Sequence, residues 1–169
     1  MNKIKLILLL VLTFVLTVTV AFYYENSYRV FVRFFFKLFQ GDNLKFVGKN
    51  FHLFASTYFV VAFGLFSVVF TLLLRGQTKK GKFLYSALAF ILFFSTTVAT
   101  TYIDSLGKVV KCTACQDGVR SLHYNEINYD FHFVTSLVVG LLPLLWTFLR
   151  KQLSNGRHKK PAYNKVFMQ

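Results

Sequence analysis

The two cysteines carry the most specific chemical signal in the sequence. Cys112 and Cys115 are the only cysteines of the chain, and two residues separate them. A C-x-x-C pair forms a disulfide in an oxidising compartment, and the same spacing recurs in thiol–disulfide exchange because the pKa of the first thiol can be lowered. The nearby cations Lys108, Lys111 and Arg120 favour a thiolate. The pair therefore predicts a disulfide that is either structural or redox-active.

A metal site is a third interpretation of these cysteines. Zinc would take Cys112 and Cys115 together with His123 and His132, since thiolates and imidazoles are its usual ligands. The cysteine pair has a common zinc spacing, but the two histidines do not follow a common pattern. Haem attachment requires a histidine directly after the second cysteine, where Gln116 stands. We therefore favour a disulfide over a metal site and predict no cofactor.

A second set of polar residues has the side chains that general acid–base chemistry uses. Its members lie at the ends of apolar blocks: Lys49, His52, Asp104, Asp130 and His132. A histidine beside a carboxylate can accept and return a proton near neutral pH. Helix ends also carry polar residues simply because they meet water, and that structural interpretation is the simpler one. These five residues are the candidate catalytic positions.

Four uncharged apolar blocks must position these residues. Only 15% of the chain is charged, against about 25% in soluble domains. About 20 helical residues cross the hydrocarbon core of a bilayer, where only helices or closed barrels satisfy the backbone. The blocks lack strand-like alternation, so they predict an all-α integral membrane four-helix bundle. It forms a single domain over residues 1–169, with membrane helices at about 5–24, 51–74, 83–103 and 131–149.

The charges of the connecting segments divide unequally between two sides. The N-terminus, the segment Arg75–Lys82 and the tail 150–169 contain basic residues and no acid, whereas all six acidic residues lie in the other two loops. Short basic segments stay in the cytoplasm. We therefore expect both termini in the cytoplasm and the cysteine-containing loop 104–130 outside, most simply in a bacterial cytoplasmic (inner) membrane.

This topology also accounts for the net charge of +14. Nucleic-acid binding would require interleaved aromatic residues or a known motif, and the basic tail has neither. The expected partners are the lipid bilayer and a lipid or envelope protein on the outer face, with no nucleic acid. No charged residue lies near the middle of an apolar block, which disfavours ion transport.

The segment 28–39 predicts an additional amphipathic helix. Arg29, Arg33 and Lys37 recur every four residues, opposite a face rich in phenylalanine. Such a helix lies along the interface, with its rings at the acyl boundary and its cations in water. Elsewhere, Gly140 and the hydroxylated residues of the third block predict close helix packing and hydrogen bonds between helices.

The segment Gly48–Ala55 resembles the start of the second membrane helix in the VanZ-like family, D-K-x-x-H-F-x-A-F. Lys49 and His52 match that motif, whereas Gly48 replaces its Asp. Val134 stands where the family has an Asn. The resemblance implies a cell-envelope membrane protein of similar length, helix count and orientation, with acidic residues around its third and fourth helices.

Three functions remain open from the sequence. The leading one is a multi-pass envelope membrane protein with a binding or interaction surface on its non-cytoplasmic face. A membrane thiol–disulfide oxidoreductase would use the cysteine pair. A VanZ-like or lipid-modifying enzyme would use the histidine and aspartate residues at the outer helix ends.

Overall fold

Four long apolar helices dominate the structure. The computed structural model describes residues 3–41, 44–48, 56–110, 115–116 and 119–157. Within these ranges the helices are α1 (Lys3–Gln40), α2 (Thr57–Arg75), α3 (Lys79–Val110) and α4 (Tyr129–Arg157). By length and composition, all four can cross a membrane. The predicted all-α membrane bundle is confirmed.

One continuous helix replaces the two elements expected near the N-terminus. The sequence predicts a membrane helix at 5–24 and a separate interfacial helix at 28–39, but α1 continues without a break through both. The residues that join them include no glycine or proline to end the helix. Glu25 and Arg29 also form an ion pair across the junction, one turn apart. The helical state of 28–39 is confirmed, and its separation from the membrane helix is wrong.

The cations of this segment do not all face water. Arg33 is only 8% exposed, and the neighbouring Val32 and Phe36 are buried in the bundle. Phe34 and Leu38 point away from the bundle and are 62% and 60% exposed. The expectation that Arg33 lies in water is therefore wrong, because the face that bears it packs against the rest of the protein.

The third and fourth helices extend beyond their apolar blocks. The third begins at Lys79 and ends at Val110, so Asp104 lies within a helix and not at the start of a loop. The fourth runs from Tyr129 to Arg157, which makes the first part of the predicted tail helical. Residues 51–55, assigned to the second helix from the sequence, lie outside the described residues.

Aromatic rings from all four helices form the centre of the bundle. The rings of Phe59 and Phe133 stack with centroids 3.7 Å apart, and Tyr28 meets Phe133 edge-on at 5.1 Å. Phe93 completes the group, with its ring 5.8 Å from that of Phe133. Tyr28, Phe59 and Phe133 are almost fully buried. This packing joins α2 to α4. It thereby positions the residues of both helices that lie one helical turn from the rings.

The interface between α3 and α4 combines close packing with hydroxyl contacts. A Cβ added at Gly140 would lie 3.2 Å from the backbone oxygen of Ala89, so the two helices approach closely there. The hydroxyl of Thr97 donates to that of Ser136 over 2.8 Å, and both side chains are buried. The predicted close packing and the hydrogen bond between helices are both confirmed.

A small three-stranded sheet joins the two longer loops. Its strands are β1 (Leu44–Val47), β2 (Cys115–Gln116) and β3 (Val119–His123), in the order β1-β3-β2. The first pairs parallel with the third, and the second pairs antiparallel with it. Leu44 and Leu122 bury their side chains in the core. The sheet ties the segment after α1 to the segment before α4.

Candidate functional site

Asp104 and His132 form a partly buried pair between α3 and α4. The distance from Nε2 of His132 to Oδ2 of Asp104 is 3.1 Å. The imidazole is 1% exposed and the carboxylate 17%. Nδ1 of His132 is buried and has no hydrogen-bond partner among the described residues. Two predicted site residues therefore come together, with the carboxylate oriented to fix the imidazole tautomer.

A second polar group connects α1 to the beginnings of α2 and α4. Oε1 of Glu25 accepts hydrogen bonds from Nε and Nη2 of Arg29, at 2.8 and 2.6 Å. Oε2 of Glu25 accepts the backbone N–H of Ser56 at 2.6 Å. The hydroxyl of Ser56 in turn donates to Oδ2 of Asp130 over 3.0 Å. We call Glu25, Arg29, Ser56 and Asp130 the buried charge network, in which Glu25 is buried and the other three are partly buried.

Aromatic rings hold the two arginines of α1 in place. The guanidinium carbon of Arg29 lies 4.6 Å from the centre of the Tyr129 ring, and that of Arg33 lies 5.1 Å from the centre of the Tyr124 ring. Cations above ring faces are attracted by the ring quadrupole, more strongly when water is excluded. Both arginines are thereby drawn toward the segment that leads into α4.

A cleft opens beside the buried charge network. Its volume is about 360 Å³. It is lined by Arg29, Asn125, Ile127, Asn128, Tyr129, Asp130 and Phe131. Arg29 and Asp130 give it one cation and one anion, and the two asparagines add carboxamides at exposed positions. We call this space the α4 cleft. It can bind a small polar group by charge and by hydrogen bonds.

Among the described residues that line the cleft, one carboxylate oxygen lacks a hydrogen-bond partner. Oδ1 of Asp130 is buried and has no hydrogen-bond partner in the part of the chain that the structure describes. Such an atom costs free energy unless something binds it, because it has lost its water. Because the atom is buried, a ligand in the α4 cleft does not reach it without a rotation of the side chain.

Sequence reasoning found Asp130 but missed its partners Glu25, Arg29 and Ser56. The sequence carried one usable signal, and it concerns Glu25 and Arg29. Glu25 stands four residues before Arg29, the spacing at which a carboxylate and a guanidinium meet on a helix. Arg29 appeared instead as part of a solvated basic stripe. Ser56 carried no signal, since its role depends on how α1 packs against α2.

Three other candidate residues lie outside the described residues. They are Lys49, His52 and Cys112. Cys115 belongs to β2, whereas Cys112 lies outside the described residues. No three His, Cys, Asp or Glu side chains converge as a metal site within the described ranges. The proposed zinc set of Cys112, Cys115, His123 and His132 therefore stays a prediction, as does the disulfide.

Gly48 occupies a position that favours glycine over any larger residue. Its φ is +102°, and a Cβ there would lie 2.7 Å from the imidazole of His123. A side chain at this position would therefore be strained by the backbone and would collide with the ring.

Comparison with known proteins identifies no relative of this chain. No family model, no curated protein and no solved structure matches the chain. The fold and the site alone define its class, an all-α membrane bundle with buried charged side chains where α4 begins.

Proposed function

We propose that this chain is a multi-pass cell-envelope membrane protein that binds a polar ligand in the α4 cleft, on the non-cytoplasmic face. Both termini would then lie in the cytoplasm. The distribution of basic residues supports this orientation, because the segments that flank the opposite end of the helices hold no acid. The cleft lies at the beginning of α4, which this orientation puts on the outer side.

The observation that carries the proposal is the burial of the charge network. Glu25 is 3% exposed, and the side chain of Arg29 is 13% exposed. Removing two charges from water costs several kcal/mol per ion, and their attraction only partly offsets this. Charged residues inside membrane bundles are for that reason usually functional. Packing alone, as in the ring cluster of Phe59 and Phe133, would hold the helices together at lower cost.

Native mass spectrometry of the full chain in mild detergent tests the proposal. Wild type should retain a small bound molecule. Asn125→Trp fills the cleft from an exposed position and should lose it. Asn26→Trp is the matched control, because Asn26 is exposed on α1 and does not line the cleft. Equal retention by all three proteins, or no retained molecule in wild type, would contradict ligand binding in this cleft.

A second candidate function rests on Asp104 and His132. With Nε2 bonded to the carboxylate, Nδ1 can accept a proton from water or a hydroxyl group, as a general base does. This arrangement favours the lipid-modifying or VanZ-like interpretation. The imidazole is almost fully buried, so catalysis would also require the helix ends to open. For that reason it ranks below ligand binding.

Incubation with an envelope lipid extract tests the enzymatic candidate. Wild type should convert a component of the extract, and His132→Gln should slow that conversion at least about 100-fold, the contribution of a positioned base. His123→Gln is the matched control, since His123 is exposed at the end of β3. No conversion by wild type, or equal conversion by His132→Gln, would exclude this candidate.

A further inference from the structure

We propose that a groove at the basic end of the bundle binds an anionic phospholipid, with its phosphate on Arg75 and Lys82 and an acyl chain on leucine side chains. The groove has a volume of about 380 Å³, and its lining comes from the start of α1, the end of α2 and the first turn of α3. We call this space the α2 groove. It lies at the opposite end of α2 from Ser56 and the buried charge network, so it is separate from the α4 cleft.

The groove lies beyond the point where α1 and α2 touch. The ring of Phe14 packs directly on Gly64, where an added Cβ would lie 2.5 Å from it. The hydroxyl oxygens of Thr17 and Ser67 are 2.8 Å apart. Small residues allow two membrane helices to approach in this way. Nearer the N-terminus of α1, the facing side chains border an open space instead of packing against each other.

Two cations provide the phosphate half of the site. Arg75 is the last residue of α2, Lys82 belongs to the first turn of α3, and both line the groove. A guanidinium donates to phosphate oxygens in pairs, and an ammonium adds a compact positive charge. The partial charges of the two helix ends oppose each other here, negative where α2 ends and positive where α3 begins. The two side chains therefore make the groove positive.

No acidic side chain of the sequence offsets these cations. Every Asp and Glu lies within 25–42 or 104–130, and no residue of either range lines the groove. Glu25, the acid within α1, is separated from Leu10 by about 22 Å of continuous helix, at 1.5 Å per residue. A phosphate in the groove thus meets two cations and no carboxylate. The ammonium of a zwitterionic headgroup finds no partner there, which makes the groove selective for lipids with a net negative charge.

Leucines provide the acyl-chain half of the site. Leu6, Leu9 and Leu10 line the groove from α1, and Leu72 and Leu74 line it from α2. Leu9 and Leu72 are 42% and 43% exposed. Both helices are long and apolar enough to cross a membrane, so these side chains meet lipid chains and not water. An acyl chain covers them, whereas a soluble phosphate ester or an acidic protein segment would leave them uncovered.

The neighbouring cations Lys79 and Lys80 are exposed and do not line the groove. Basic segments of this kind attract an anionic membrane surface without binding any one lipid, whereas basic pockets between membrane helices bind individual headgroups. The α2 groove differs from its surroundings because it joins two cations to an apolar surface. That difference separates a lipid site from diffuse attraction.

Lipid titrations followed by native mass spectrometry of the full chain in mild detergent test this assignment. The probes are phosphatidylglycerol, phosphatidylethanolamine and phosphatidylcholine with identical acyl chains. Wild type should bind phosphatidylglycerol about 25-fold more tightly than either of the others, since each cation contributes about fivefold. Arg75→Gln and Lys82→Gln should each reduce that preference about fivefold. Lys80→Gln is the matched control and should leave it unchanged.

A second pair of variants tests the acyl-chain half. Leu72→Trp fills the groove and should weaken the binding of phosphatidylglycerol. Leu65→Trp is the matched control, because Leu65 is exposed two turns away on the same helix and does not line the groove. Equal binding by these two variants would contradict a lipid in the groove. Displacement of the lipid by free glycerol 3-phosphate, at the affinity of the lipid itself, would contradict a role for the leucines.

The remaining outcomes separate this site from diffuse attraction and from the α4 cleft. A loss of preference as large for Lys80→Gln as for Arg75→Gln, or no preference in wild type, would overturn the assignment. Asn125→Trp should leave the binding of phosphatidylglycerol unchanged, so the two sites can fail independently. Loss of that binding in Asn125→Trp would place the lipid in the α4 cleft and would also overturn the assignment.

Discussion

The carboxylate of Glu25 and the guanidinium of Arg29 are joined by two hydrogen bonds inside a bundle of apolar helices. The pair lies in the middle of the longest helix, at the junction where the sequence alone predicts a break. The other oxygen of the Glu25 carboxylate accepts a hydrogen bond from the backbone N–H of Ser56, just before α2. One carboxylate therefore spans the junction within α1 and also connects α1 to the beginning of α2.

Glu25→Gln is expected to destabilise the protein by about 3–5 kcal/mol, the cost of leaving a buried charge without its partner. The amide would also point a donor at either Arg29 or the N–H of Ser56. The free energy of unfolding in detergent measures the effect. Glu126→Gln, at an exposed position, is the matched control and should change stability by less than about 0.5 kcal/mol. Equal effects of the two substitutions would show that the ion pair contributes little.

Asp104 and His132 are expected to be energetically coupled across α3 and α4. A double-mutant cycle with Asp104→Asn and His132→Asn should give a coupling of about 0.6–1.7 kcal/mol, as found for hydrogen bonds between membrane helices. Thermal unfolding of the four proteins gives the coupling. Strictly additive effects would mean that the two side chains do not stabilise each other.

Gly140→Val is expected to separate α3 from α4. A Cβ at this position would already press on the backbone of Ala89, and a backbone atom cannot move aside as a side chain can. Overpacking of this kind costs about 1–3 kcal/mol. Gly107→Val is the matched control in a helix, because a Cβ there meets nothing within 4 Å. A loss of stability as large for Gly107→Val as for Gly140→Val would contradict the close approach.

Cys112 and Cys115 are expected to form an intramolecular disulfide, because the proposed orientation exposes both to the outer compartment. Thiol labelling before and after reduction measures it, and two free thiols in intact cells would exclude it. If the bond exists, Cys115→Ser separates its two roles. A redox enzyme would then trap a partner through Cys112, whereas a structural bond would leave only a less stable loop.

The four helices could be predicted because each follows from a long uncharged block, a property of the local sequence. The contact at Gly140 could also be predicted, because a small residue in an apolar helix indicates close packing. The meeting of Asp104 and His132 could be predicted in outline, because both residues lie at helix ends on the same side. The buried charge network could not be predicted in the same way. Whether Arg29 and Arg33 face water or protein depends on how α1 packs against α4. The strand Leu44–Val47 was also missed, since it is short and its partner lies far along the chain.

Labelling from the two sides of the membrane most directly tests whether the α4 cleft opens to the outside. In a Cys112→Ser, Cys115→Ser background, Asn125→Cys reports on the cleft, and Lys80→Cys reports on the exposed start of α3. With a membrane-impermeant maleimide, Asn125→Cys should be labelled in intact cells and Lys80→Cys only after permeabilisation. Labelling of Lys80→Cys in intact cells, with Asn125→Cys protected until permeabilisation, would contradict the proposed orientation and the function assigned to the cleft.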